Sequence, residues 1–295
     1  MSRKTAHDFD QELLALFDAY VHGVIDRRTF LDKAAKFAVG GVTALMLLEQ
    51  LSPDFAAAQV VSAEDKRIDA KYLEYDSPKG YGKARGYFVH PTAKGKLPGV
   101  LVIHENRGLN PHIEDVTRRL ALDGFIAFAP DALFPLGGYP GDEDKARELF
   151  AKLDQAKTRE DFIAAAAFLK ARPECNGKLG AVGFCYGGGM VNYLATCLGG
   201  DLSAAVCFYG SAPDLEDVPR IKARLMVHSA EKDERINASW PDFERALKAA
   251  NVRYERFLYP GTQHGFNNDT TPRYDAEAAK LAWGRTLAFF EKQLR

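Results

Sequence analysis

The sequence predicts an α/β fold, a mostly parallel sheet with helices on both faces. Three observations carry that prediction. From residue 98 onward, short apolar runs alternate with amphipathic stretches, the order that right-handed strand–helix–strand crossovers produce. Those runs are apolar almost throughout, as strands buried on both faces must be. With 295 residues, 46% apolar and 27% charged, the chain can also build one large core without a disulfide framework.

The elements follow in order. Ile68, Ala70 and Tyr72 alternate with outward-facing residues, and the turn Ser77-Pro78-Lys79-Gly80 leads to a second extended run reaching Phe88 and Val89. That is an antiparallel hairpin in outline. Residues 98–103 and 125–129 read as buried strands, with a helix between them around Ile113, Glu114, Asp115 and Val116; helical patterns follow near 142–153 and 158–171. Residues 178–184 form a strand that runs into a glycine-rich turn, and a helix follows at 190–198. Strands at 204–209, 225–228 and 252–258, a helix at 238–250 and a closing helix at 276–293 complete the pattern. Residues 67–295 thus read as one domain, 59–66 as a linker and 1–58 as a separate extension.

The extension supports two readings. Arg27-Arg28 ahead of Phe30-Leu31, a short apolar run and Ala56-Ala57-Ala58 resemble a twin-arginine export signal. The apolar run falls short of the roughly 20 residues a membrane span needs, so no transmembrane span is expected. The second reading starts from the acidic residues Asp8, Asp10, Glu12, Asp18 and Asp26, which do not suit a leader. Phe9, Leu13, Leu16, Phe17, Tyr20 and Val24 also recur at steps of three and four, as in an amphipathic helix that packs on a partner. The first reading places the protein in the periplasm. The second leaves it in the cytoplasm with a retained helical arm, through which copies of the chain could form a homo-oligomer.

The net charge of −1 offers nothing to nucleic acid or anionic lipid. Neither C-x-x-C nor H-E-x-x-H occurs, so no metal is expected. Cys175, Cys185, Cys197 and Cys207 match no disulfide scaffold. Cys197 and Cys207 lie in apolar surroundings and read as packing residues, as do His104 and His228 at strand ends.

Chemistry concentrates in Gly183-Phe184-Cys185-Tyr186-Gly187. Small residues two before and two after a nucleophile permit the sharp strand-to-helix turn that presents it. The helix N-terminus beyond Cys185 favours a thiolate and offers N–H groups to an oxyanion. Asp233, in the loop after the 225–228 strand, and His264, in the loop after the next strand, supply an acid and a base in the order nucleophile, acid, histidine. Loops at the C-terminal edge of an open α/β sheet are where active sites gather.

Four segments together resemble the dienelactone hydrolase family: G-F-C-Y-G-G-G at 183–189, S-A-E-K-D at 229–233, H-G-F at 264–266 and V-I-H-E-N-R-G-L-N at 102–110. The resemblance covers roughly 67–295. The leader-like extension followed by H-E-N-R-G-L-N resembles a bacterial subgroup of that family. The resemblance implies an α/β-hydrolase fold and hydrolysis of a small-molecule carboxylic ester or lactone through an acyl-cysteine, without a cofactor. It implies that Glu105 holds and activates Cys185 as substrate binds, so that the thiol ionises on demand, and that the backbone N–H groups of Tyr186 and Asn106 form the oxyanion hole. The family's two carboxylate-gripping arginines are not matched: Ala132-Leu133-Phe134 stands at one place, Asn267 and Asn268 at the other. Arg107 is the candidate substitute, or else a structural ion-pair partner. Two other functional classes stay open, a thioesterase or acyltransferase using the same triad and a non-catalytic binding protein on the same fold.

Overall fold

In the computed structural model, which describes residues 4–93 and 95–295, eight strands form one sheet in the order β1-β2-β4-β3-β5-β6-β7-β8. The strands are β1 (Ile68–Ser77), β2 (Gly82–Pro91), β3 (Leu97–Ile103), β4 (Ile126–Pro130), β5 (Cys175–Phe184), β6 (Ala204–Phe208), β7 (Arg224–Lys232) and β8 (Tyr254–Gln263). β1 and β2 are the expected hairpin; β2 meets β4 antiparallel, and the remaining neighbours are parallel. The side chains of β3, β4, β6 and the Leu179–Phe184 part of β5 are buried almost without exception, which is why they read as continuous apolar runs.

The helices are α1 (Gln11–Val21), α2 (Arg27–Ala34), α3 (Ala44–Leu51), α4 (Phe55–Ala58), α5 (Pro111–Leu122), α6 (Glu143–Phe150), α7 (Gln155–Lys170), α8 (Tyr186–Cys197), α9 (Glu234–Asn237), α10 (Trp240–Ala249) and α11 (Ala276–Leu294). Separate apolar clusters lie on the two faces of the sheet. Phe162, Leu169, Val191 and Leu194 belong to one; Ile113, Leu120, Phe289 and Phe290 belong to the other. This is the α/β-hydrolase fold.

The extension folds onto the same chain. Residues 1–3 lie outside the described residues; the rest of the segment carries α1 to α4. Phe17, Phe30, Leu47, Leu48 and Leu51 form a small core of their own, with Phe17 and Phe30 edge-to-face at 6.2 Å. The apolar run near residues 37–48 is not one helix, because a turn at Gly40-Gly41 interrupts it before α3 begins. No helix among the described residues is long and apolar enough to cross a membrane.

Polar contacts seat this arm. Arg273 pairs with Asp18 at 3.1 Å, Arg27 pairs with Asp144 at 2.9 Å, and Arg147 donates to Tyr20 O at 2.6 Å. The backbone N–H groups of Val60 and Val61 donate to the Asp115 carboxylate on α5. Phe9, Leu13, Phe17 and Tyr20 of the amphipathic face pack within the chain. Val24 departs from the expected face: α1 stops at Val21, and Val24 is 72% exposed. Cys197 departs as well, since it is exposed at the end of α8, whereas Cys207 is buried as expected; all four cysteines are free.

Candidate active site

β5 ends at Phe184 and α8 begins at Tyr186, leaving Cys185 alone between them at φ 54°, ψ −113°. A non-glycine residue rarely adopts such a backbone, and the surroundings must hold it there. The glycines make this possible. A Cβ on Gly183 would lie 2.1 Å from Gly187 O, and one on Gly187 would lie 2.1 Å from Ile103 O. The Cys185 N–H donates to Phe208 O at 3.1 Å, tying the turn to β6.

Asp233 follows β7 directly and His264 follows β8 directly. β8 runs on to Gln263, further than the sequence pattern indicates, and so delivers His264 at the sheet edge. Both side chains are buried, and His264 Nδ1 donates to Asp233 Oδ2 at 2.6 Å. This fixes the ring with Nε2 turned toward the cysteine sulfur. Glu105 lines the same cavity, its Oε2 accepting from Asn268 Nδ2 at 2.9 Å. Asn268, where the family resemblance would place an arginine, therefore holds the glutamate in position.

The oxyanion-hole candidates occupy suitable places. Tyr186 is the first residue of α8, where a backbone N–H has no acceptor within its own helix. Asn106 lines the cavity, its side chain donating to Val21 O at 2.9 Å and accepting from Arg107 Nη1 at 2.8 Å. Arg107 is buried in the cavity wall with its Nε 3.6 Å from Glu143 Oε2, which is the geometry of a structural pair. His104 and His228 are buried and hydrogen-bonded, at 2.6 Å to Glu105 O and 2.8 Å to Tyr259 Oη; burial pushes their pKa values down to about 4 and about 3. Neither ring points to a role in proton transfer.

The residue that sequence reasoning missed is His22. It caps the C-terminal end of α1, and its Nε2 lies 3.3 Å from Cys185 Sγ. Its Nδ1 donates to Asp18 O at 2.8 Å and lies 3.3 Å from Asp18 Oδ1. The His22 and His264 rings meet edge-to-face at 4.7 Å. A histidine on a presumed leader or outer helix gives no local signal; only the docking of the arm reveals it. The arm also walls the cavity, of about 400 Å³, with Phe17, Tyr20, Leu48 and Phe55 facing Glu105, Arg107 and Cys185.

Burial opposes charge on Cys185, but the His264 charge and the hydrogen bonds from both histidines outweigh it and bring its pKa down to about 6. Burial likewise opposes charge on His264, and the Cys185 thiolate and Asp233 raise it to about 10. The two values belong to a coupled pair. Both shifts favour the thiolate–imidazolium form of the pair. Because His22 contributes to the lowering, His22→Phe is expected to slow iodoacetamide alkylation of Cys185 at pH 6, by up to about tenfold. The variant and parent rates should converge near pH 9, and identical pH profiles would rule the contribution out.

Residues 84–294 match the family model described as "Dienelactone hydrolase family", and residues 1–37 match one described as "YqhI-like". A Synechocystis protein named "Putative carboxymethylenebutenolidase" is 32% identical over 246 residues, covering 77% of this chain and 99% of its own length. The chain belongs to the dienelactone hydrolase family. The Escherichia coli "Putative hydrolase fragment YghX" is 54% identical over 114 residues, 38% of this chain and 97% of that protein. A crystal structure titled as a putative dienelactone hydrolase from Klebsiella pneumoniae superposes with a TM-score of 0.67 at 30% identity. It covers 76% of this dienelactone hydrolase family member and 99% of its own chain.

Proposed function

We propose that this family member hydrolyses a small carboxylic ester or lactone through an acyl-cysteine, with Cys185 as nucleophile, His264 as acid and base, and Asp233 as the residue that orients His264. The observation that carries the reading is Cys185 on its strained turn, facing an imidazole whose other nitrogen is bound to a buried carboxylate. The names of the relatives agree with lactone or ester chemistry.

The Cys185 thiolate attacks the carbonyl carbon, forming the C–S bond as the carbonyl π pair moves to oxygen. The N–H groups of Tyr186 and Asn106 stabilise that oxyanion. As the C–O bond to the leaving group breaks, the His264 imidazolium gives it the Nε2 proton. Water then returns a proton to Nε2 and attacks the thioester carbon. The C–S bond breaks, the acid departs and the thiolate–imidazolium pair is restored. Glu105, held by Asn268, shapes the electrostatics beside the sulfur, and Arg107 supports Asn106.

Intact-mass analysis during turnover of a slow aryl ester should show one acyl group, located by peptide mapping on Cys185. Turnover without any adduct, in wild type and in an Asp233→Asn variant alike, would count against the covalent route. Activity needs the thiolate and the imidazolium together, so kcat/KM should rise as pH passes about 6 and fall as it passes about 10. Parallel rates on matched oxygen esters and thioesters separate hydrolase from thioesterase use of the same triad.

A further inference from the structure

We propose that the arm completes a zinc site, in which Cys185 Sγ, His22 Nε2 and His264 Nε2 bind one ion and leave a fourth position open to the cavity. The three donor atoms already lie within 4.8 Å of one another. A tetrahedral zinc with bonds of about 2.3 Å to sulfur and about 2.0 Å to nitrogen needs donors roughly 3.5 Å apart, and His22 Nε2 stands 3.3 Å from the sulfur. One thiolate and two imidazoles is a donor set suited to zinc.

The surroundings are built as metal sites are built. Zinc-bound histidines characteristically donate their second ring nitrogen to a carboxylate or carbonyl, which fixes the ring and raises its basicity. Both rings do so here. His264 Nδ1 binds Asp233, and His22 Nδ1 binds Asp18 O beside the Asp18 carboxylate. Both Nε2 atoms therefore turn toward one sulfur. His264 Nε2 is buried and faces the Cys185 sulfur, so it is placed to ligate. Arg235 Nη2 lies 3.1 Å from His22 Nε2; its side chain is exposed, so solvent is open to it when a cation takes that position.

The binding step balances simply. Zinc replaces the proton on His264 Nε2 and bonds to the existing thiolate, with nothing oxidised or reduced. The ligands stand at positions 22, 185 and 264, which explains why no ligand spacing appears in the sequence and why no metal was expected. An occupied site would hold the nucleophile's lone pairs in metal bonds, so zinc would switch hydrolysis off reversibly and shield the thiolate from oxidation.

The test uses the full chain and cobalt(II) as a visible stand-in for zinc. Titration should produce a near-ultraviolet thiolate-to-cobalt charge-transfer band with the visible bands of a four-coordinate ion, and zinc should displace it. X-ray absorption of the zinc-loaded protein should count one sulfur and two imidazoles. Cys185→Ser should lose the charge-transfer band. His22→Gln should weaken binding at least as much as the roughly 10- to 100-fold typical of losing a supporting group. Esterase activity should fall with zinc occupancy and return with chelator. Absence of the band, an absorption spectrum with fewer than two imidazoles, or unchanged affinity in His22→Gln would each overturn the proposal. These metal readouts do not depend on turnover, so a failure of the acyl-cysteine reading would leave them standing, and the reverse holds as well.

Discussion

Replacing Cys185 by alanine is expected to lower kcat on small aryl esters by at least about 10⁴-fold, to a level set by binding and the oxyanion donors alone. The fold should survive, because Cys185 makes its structural contacts through the backbone N–H to Phe208 O and the backbone O to Gly189 N. The measurement is initial rate against active-site-titrated wild type, with thermal unfolding as the control. An alanine variant that retains esterase activity and a native transition would dispose of the sulfur as nucleophile.

The second large effect is on the arm. Phe30 is fully buried, edge-to-face with Phe17 and tilted against Tyr20 in the small core of the extension. Phe30→Ala should remove about 3–5 kcal/mol from that cluster, a large part of what a core of that size supplies. The main sheet has its own clusters, so the loss should appear as local opening. Limited proteolysis should cut between residues 9 and 52 in the variant while the 67–295 body resists. KM should rise more than kcat falls, since the variant loosens the cavity wall formed by Phe17, Tyr20, Leu48 and Phe55. If the variant unfolded in one step with the whole chain, the arm would be an integral part of the core.

The candidate site residues of the body are legible because each sits in a local pattern. Gly183 and Gly187 flank Cys185 at the spacing a sharp turn demands, and Asp233 and His264 stand at strand ends recognisable from their apolar runs. Other features depended on residues far apart in the chain. Asn268 looked like a missing arginine until its bond to Glu105 was seen. His22 is one polar residue at the end of an amphipathic helix, 163 positions from the sulfur it touches. The lowered pKa of Cys185 follows from two imidazoles converging on one sulfur, which no single segment encodes. Arg107 was readable as a cation, but its burial beside Glu143 belongs to packing.

The arm's place over the cavity also bears on its resemblance to an export signal. Cleavage after Ala58 would separate from the body not only an address but also Phe17, Tyr20, His22 and Phe55. The trimmed protein would then present Cys185 in an open groove with one imidazole, and the untrimmed protein in a roofed chamber with two. The arm therefore bears on substrate choice, because its side chains form part of the cavity wall.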